Sequence, residues 1–338
     1  MPASNSSDIR IGMVGAGAIA QVAHLPVLRK MKGVEIAGIC DNDGAKARAL
    51  AQRLGVSAWY TDIEELLEYG KVDAVVVCTP NHLHEVHTLS ALAAGAHVVV
   101  ERPIALTSAG VARVLKAAEK AKRSVLVAMN HRFRSDVQAV HGFIRGGELG
   151  EITTIRTGWH VFRAAKHQLG WRSRRAESGG GVMMDLGLPM LDLGIWIAGR
   201  PQVERVSAYL SNGPGQVDEV GAAHLFCEHG ISIFCDVSWR YVGEGERFWL
   251  DIQAAKGSAS ITPFRVFKEL HGAPVDVTPT GAAGKEHVFT ASYRSEWAYF
   301  LAGVRGEVAL VPPEDQIKLL KVVEAIYRSA DEQRDVEL

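Results

Sequence analysis

Residues 11–41, IGMVGAGAIAQVAHLPVLRKMKGVEIAGICD, decide the fold. A β-branched apolar run ends in GAGAIA, a helical pattern follows, and a second apolar run closes on an acid. The spacing Gly15-x-Gly17-x-x-Ala20 between strand and helix is that of a dinucleotide-binding loop. In such a loop the first glycine makes the tight turn and the second lets the backbone approach a pyrophosphate. The small third residue lets helix and strand pack closely. Gly15, Gly17, Ala18 and Ile19 are therefore candidates to hold cofactor phosphates at the helix N-terminus. Asp41, 21 residues beyond Ala20, is placed to bind the adenosine ribose hydroxyls, which favours NAD. Lys46 and Arg48 stand close by and keep NADP as the alternative cofactor.

Outward from this unit the same rhythm continues to about residue 129. The runs VSAWY, VDAVVVC, HVVVE and SVLVAM read as further strands, with helical spacing between them at 85–94 and 109–122. Alternation of this kind predicts an α/β domain over 1–129 with a doubly wound parallel sheet. Beyond it the pattern changes. Strand-like runs at 152–161, 203–210, 220–227, 231–239, 247–254 and 258–267 follow one another with few helices, which predicts an α+β domain over 130–338 with a mostly antiparallel open sheet. A glycine-led apolar segment occupies 179–197, and helices are expected at 137–145, 293–304 and 313–331, the last of which could pack back on the first domain.

The 338 residues suit two domains of about 150 residues each. Apolar residues make up 47% and charged residues 22%, a globular balance that excludes a disordered or low-complexity chain. The net charge of -1 offers no field for nucleic acid or an anionic membrane surface. Contiguous apolar runs such as 74–78 fall short of the ~20 residues that span a bilayer, and MPASNSSD has neither a basic nor an apolar export region, so a cytoplasmic enzyme is expected. Cys40, Cys78, Cys227 and Cys235 lie in apolar runs without C-x-x-C spacing and read as buried thiols. His82, His84 and His87 have no acid or cysteine at matching reach, so no metal site is expected.

The GAGAIA loop, Thr79-Pro80-Asn81-His82-Leu83-His84, Glu101-Arg102-Pro103, MNHRF, the Gly179-Gly180-Gly181 block with Asp185 and Asp192, and the ending 314–338 resemble the Gfo/Idh/MocA family. The likeness runs in order from about residue 9 to the C-terminus. It implies hydride transfer at a carbon of a sugar, cyclitol or related hydroxy compound by NAD(P), and a homo-oligomer (dimer or tetramer) using one face of the second domain's sheet. It also implies that Thr79, Asn81, His84 and Glu101 line the nicotinamide and its ribose, with Arg102 beside them and Pro80 and Pro103 setting strand-end turns.

Two positions depart from that pattern. Arg102 stands where the family has a lysine, and Asp185-Leu-Gly-Leu-Pro189 stands where it has Asp-x-x-x-His. Arginine stays charged, so it can orient or polarise an oxygen but is a poor proton shuttle. The remaining proton acceptors are Asp185 first and His160 second, followed by His131, Asp192 and a relayed water. Pro189 removes an N–H from a helical stretch, so a kink is expected there. Two other readings stay open: an NAD-dependent non-redox reaction such as elimination or glycoside cleavage, and a non-catalytic NAD-binding protein. Finally, residues 156–175 carry Arg156, Arg163, Lys166, Arg172, Arg174 and Arg175 and no acid. They read either as a site for an anionic small-molecule substrate, with Trp159 or Trp171 offering a flat face, or as a solvated or subunit-contacting loop.

Overall fold

Runs of Val, Ile and Ala with no polar interruption make the first sheet. Its strands are β1 (Ile9–Val14), β2 (Val34–Cys40), β3 (Trp59–Tyr60), β4 (Ala74–Val77), β5 (His97–Val100) and β6 (Val125–Val127), all parallel, in the order β3-β2-β1-β4-β5-β6. Every residue of β4 is buried, as expected for a parallel strand covered on both faces, where apolar runs replace alternation. The strand order reverses between β1 and β4, and in such sheets ligands bind beyond the carboxyl ends at that point. VSAWY contributes only Trp59–Tyr60 to the sheet.

The computed structural model describes residues 8–163, 170–212, 217–280 and 286–338. It divides into one unit ending at Asn130 to which Phe289–Glu314 return, and a second made of His131–Val288 and Asp315–Leu338. The helix that returns to the first unit is Val288–Val304, not the last one. Its Tyr293, Trp297, Phe300 and Leu301 are buried in the same core as Ile11, Met13, Leu25 and Leu28. The last helix, Asp315–Glu332, instead packs on the second sheet through an apolar face that includes Leu319, Leu320, Val323 and Ile326.

That second sheet has nine strands: β7 (Ile152–His160), β8 (Val203–Asn212), β9 (Asp218–Cys227), β10 (Ser232–Ser238), β11 (Arg247–Ala254), β12 (Gly257–Ile261), β13 (Arg265–Leu270), β14 (Ala273–Asp276) and β15 (Val336–Glu337). Their order is β14-β13-β12-β11-β7-β10-β9-β8-β15, antiparallel except for β7 against β10. The run 258–267, expected as one strand, is the β12–β13 hairpin. Thr262, with φ +65, and Pro263 make its turn, a breaker that the apolar pattern concealed. His271 and Gly272, both at positive φ, close the next hairpin as a two-residue turn requires. The exposed β14 carries no alternation from which it could be read.

In β7 the side chains of Ile155 and Thr157 face the helix Leu188–Ile197, whose Gly194 lies close enough that a methyl there would touch both. Their neighbours Arg156 and His160 therefore point to the other, open face. The stretch Arg175–Ile197, a short helix, three bend residues at 179–181 and then the π turn and helix that follow, is long and apolar enough to cross a membrane by length and composition, a property that contiguous apolar runs did not reveal. Since most of its apolar part is buried inside the protein, it is a core element.

Proline shapes two helix starts alike. Ala20–His24 and Met183–Gly187 are single π turns, each followed by an α-helical turn with proline at its second residue, Pro26 and Pro189. Proline lacks the N–H that a regular helix needs four residues on. The wider turn absorbs that gap, with Leu25 N–H bonding Ala20 O and Leu188 N–H bonding Met183 O. The irregularity expected at Pro189 is thus a π turn just before it.

Candidate active site

In the first unit the site residues gather at the carboxyl ends of β1, β2, β4 and β5. Gly15 has φ +93, and a Cβ there would lie 2.6 Å from the Cys78 carbonyl, so no other residue fits. Gly17 is different: the nearest atom to an added Cβ is Cys78 O at 3.9 Å. Its missing side chain is not needed for internal packing and leaves a cradle open to a pyrophosphate. Ala18 and Ile19 follow as the first helical residues, and Ala20 is fully buried.

Asp41 ends β2 and is 8% exposed. Its Oδ2 accepts from Ala16 N–H (2.8 Å) and Lys46 Nζ (2.9 Å), and its Oδ1 accepts from Asp43 N–H (3.0 Å). Burial pushes this carboxyl up, but Lys46 and the two backbone donors outweigh it and hold it below the usual range. The carboxylate is thus preorganised as a hydroxyl acceptor. Lys46, which the sequence left as a sign of NADP, is occupied by Asp41.

After β4, Thr79 Oγ1 lies 3.1 Å from His87 Nδ1, and Pro80 and Asn81 begin the helix Asn81–Ala93. His84 is buried between two carbonyls, Nδ1 2.7 Å from Pro103 O and Nε2 2.7 Å from Thr79 O. Burial depresses its pKa although both carbonyls favour the proton. It staples the loop after β4 to the loop after β5, where the Arg102–Pro103 peptide is cis. Glu101, buried at the end of β5, accepts at Oε1 from Tyr293 OH (3.1 Å) and lies 2.9 Å from His24 Nε2. Trp297 Nε1–H in turn donates to His24 Nδ1 (3.0 Å). His24, Tyr293 and Trp297 escaped the sequence reading. A histidine in an apolar helix start was the one available signal.

In the second unit Asp185 sits in the π turn Met183–Gly187. Its Oδ2 accepts from Arg163 Nη2 (2.6 Å) and Trp239 Nε1 (3.1 Å), and the Arg163 guanidinium stacks 4.4 Å from the Trp239 ring. The glycine-led segment is anchored by Asp218, which no motif marked. Its two oxygens accept from Gly181 N–H (2.7 Å), Met183 N–H (2.8 Å) and Tyr327 OH (2.9 Å). His160, by contrast, lies on the open face of the sheet, edge-on to Trp249 with its Nε2 3.1 Å from Asp236 Oδ1. Asp185 lies on the helix-covered face with Trp239, so the structure separates these two proton-acceptor candidates by the sheet itself.

Asp192 is tied to its neighbours on several sides. It is 4% exposed, receives a bidentate hydrogen bond from Arg132, and also accepts from Gln316 Nε2 (3.2 Å). His131 stacks on Phe248 and meets Trp159 edge-on. The cations of 156–175 turn to different partners: Arg156 to the Phe234 ring, Arg163 to Asp185, Arg172 to the Trp171 ring, Arg174 to Glu177 and Arg175 to the Tyr327 ring. Lys166 lies outside the described residues. Trp159 donates to Glu246 (3.2 Å). Among the described residues no three His, Cys, Asp or Glu side chains gather as a metal-binding group.

A six-stranded Rossmann sheet with a glycine cradle and an acid held at the end of β2 defines a dinucleotide-binding protein. Residues 9–129 match the model described as "Oxidoreductase family, NAD-binding Rossmann fold", and residues 137–260 match the GFO/IDH/MocA C-terminal domain. The chain belongs to the Gfo/Idh/MocA family of oxidoreductases, and its cofactor is NAD. It is 28% identical to D-glucoside 3-dehydrogenase of Escherichia coli, over 99% of both chains. Aldose-aldose oxidoreductase from Caulobacter crescentus superimposes with a TM-score of 0.83 at 25% identity, covering 98% of this chain and 100% of that one. Levoglucosan dehydrogenase, solved with NADH and levoglucosan, shares the fold at TM-score 0.87 and 19% identity, covering 98% and 99%.

Proposed function

We propose that this protein oxidises a CH–OH group of a sugar, cyclitol or related hydroxy compound. When bound, NAD supplies the hydride acceptor. Gly15, Gly17, Ala18 and Ile19 carry the pyrophosphate, Asp41 the adenosine ribose, and Thr79, Pro80, Asn81, His84, Glu101 and Arg102 the nicotinamide half. Arg102, permanently cationic, holds and polarises the reacting oxygen. Asp185 takes the hydroxyl proton. The observation that carries the reading is the Asp41 carboxylate, fixed as an acceptor by three donors at the end of β2, together with the open cradle at Gly17. The sugar-acting relatives support the substrate class.

Asp185 is preferred over His160 because it sits in the glycine-led segment and is oriented by Arg163 and Trp239, whereas His160 belongs to the open face. The open face, with Tyr209 65% exposed and His224 stacked on Phe234, is the surface through which we propose the chain forms a homo-oligomer, to be checked by light scattering.

The test is NADH formation with a panel of sugars, polyols, sugar acids and sugar phosphates, alongside an Arg102→Lys, Pro189→His variant. Net NADH from the unmodified protein supports the dehydrogenase. Product formed without net NADH would assign the cofactor to an internally cyclic, non-redox reaction. Tight NAD binding with turnover only in the double variant would mean that the native chain has left dehydrogenase chemistry.

A further inference from the structure

The first unit contains a buried hydrogen-bond chain that no part of the hydride chemistry itself requires. His24 is 0% exposed, and its ring is met edge-on by Tyr293 at 5.1 Å and by Trp297 at 5.8 Å. The indole N–H of Trp297 can only donate, so the Nδ1 it reaches must be an acceptor. The ring proton is therefore on Nε2, which donates to Glu101 Oε1 at 2.9 Å. Tyr293 OH donates to the same oxygen at 3.1 Å. Both donors converge on Oε1.

This arrangement holds a carboxylate and cannot conduct a proton. Trp297 has no acceptor lone pair in its ring N–H, so nothing can pass beyond His24 Nδ1. The π turn Ala20–His24 brings the histidine into this position. It follows directly from the phosphate loop, so the loop that carries the pyrophosphate and the acid that ends β5 are joined through one side chain.

We propose that His24 is a positioning residue for the cofactor: locked by Trp297 in its Nε2–H tautomer, it holds Glu101 as the acceptor for a hydroxyl or amide of the nicotinamide half of NAD. The proposal rests on the reading of Glu101 as a cofactor residue. The groups around Glu101 are His24 from the π turn, Arg102 beside it in the chain, His84 from the helix Asn81–Ala93, Cys78 at the end of β4, and, from the helix Val288–Val304, Tyr293, which itself neighbours Glu296. Burial pushes the Glu101 carboxyl up. The hydrogen bond from His24, with the Arg102 charge behind it, outweighs burial and keeps it below the usual range. With the His24 donor gone, burial dominates and the carboxyl titrates at higher pH.

The experiment is calorimetric NAD binding at pH 8 and pH 5.5 for the whole protein and for His24→Leu, His24→Gln, Tyr293→Phe and Glu101→Gln. The wild type binds equally at both pH values. His24→Leu binds about 10-fold more weakly at pH 8 and at least about threefold more weakly again at pH 5.5, as the carboxyl protonates. His24→Gln, whose amide keeps a donor near the Nε2 position, stays within about threefold of wild type at both. His24→Leu equal to wild type at both pH values, with Glu101→Gln weakened, overturns the role of His24 and leaves Glu101 in place. Glu101→Gln binding as tightly as wild type removes the reading of Glu101 and the proposal with it. If circular dichroism shows His24→Leu unfolded, Tyr293→Phe decides. A weaker, acid-sensitive affinity upholds the clamp, and a wild-type affinity at both pH values overturns it.

Discussion

Replacing Asp41 with serine tests the cofactor site most directly. In the native protein the carboxylate is held by Ala16 N–H, Asp43 N–H and Lys46, so it meets a ribose hydroxyl already ionised and oriented. A hydrogen bond to a charged acceptor contributes about 1.5–3 kcal/mol, and its loss in Asp41→Ser weakens NAD binding about 10- to 150-fold. The same substitution frees Lys46, whose Nζ is 2.9 Å from Asp41 Oδ2, and removes the negative charge that repels a 2′-phosphate. NADP binding therefore tightens as NAD binding weakens, and the NAD/NADP preference shifts by at least about 100-fold. The Lys46 side chain is 41% exposed, so the gain toward NADP shrinks as salt rises from about 50 to 500 mM, while the loss toward NAD does not. Fluorescence titration with NADH and NADPH reads both affinities. Lys46→Met is the control: Asp41 keeps its two backbone donors, so NADH binding stays within a few fold and NADPH binding falls. An Asp41→Ser protein that binds NADH within threefold of wild type, with its preference unchanged, would falsify the assignment of Asp41 to the adenosine ribose.

Other consequences are equally open to measurement. Arg132→Met leaves Asp192 and Asp315 without the guanidinium that bridges them, and breaking such a buried pair costs about 3–5 kcal/mol, or about 6–20 °C in melting temperature. The Asp315 carboxyl is pushed up by burial but held below its usual range by Arg132 and Arg200. Its stabilisation is therefore present above the unfolded pKa near 4 and is lost as pH falls through the depressed native value. The difference between wild type and Arg132→Met should close in acid, and a variant that melts with the wild type at pH 7 refutes the buried bridge. Asp218→Ala strands the N–H groups of Gly181 and Met183, with a loss of about 2–5 kcal/mol in denaturant unfolding, whereas Tyr327→Phe loses only about 1 kcal/mol. Equal effects from the two would place the anchor elsewhere. With a substrate in hand, Asp185→Asn lowers kcat by about 100-fold or more and His160→Ala leaves it within a few fold. The reverse order would move the proton path to the open face.

Legibility from sequence followed the range of the interaction. GAGAIA, Asp41 and the strand–helix rhythm are local: a turn, a helix N-terminus and a side chain at the next strand end lie within about 30 residues, and residue type alone carries their geometry. Hence the parallel sheet and NAD could be read before any coordinates. Hairpins were harder, because Pro263 interrupts an apolar run that otherwise scans as one strand and because exposed β14 has no inward face to mark it.

What the sequence determined by itself is the nucleotide unit, its cofactor and the family, since these depend on short backbone motifs. Only the tertiary structure decided how the side chains are used. His24 reaches Glu101 across 77 residues and Trp297 across 273, and Asp218 anchors Gly181 from 37 residues away. It also set Asp185 and His160 on opposite faces of one sheet. Buried polar groups must find partners wherever the packed chain places them, and partners so distant in sequence leave no spacing from which they can be read.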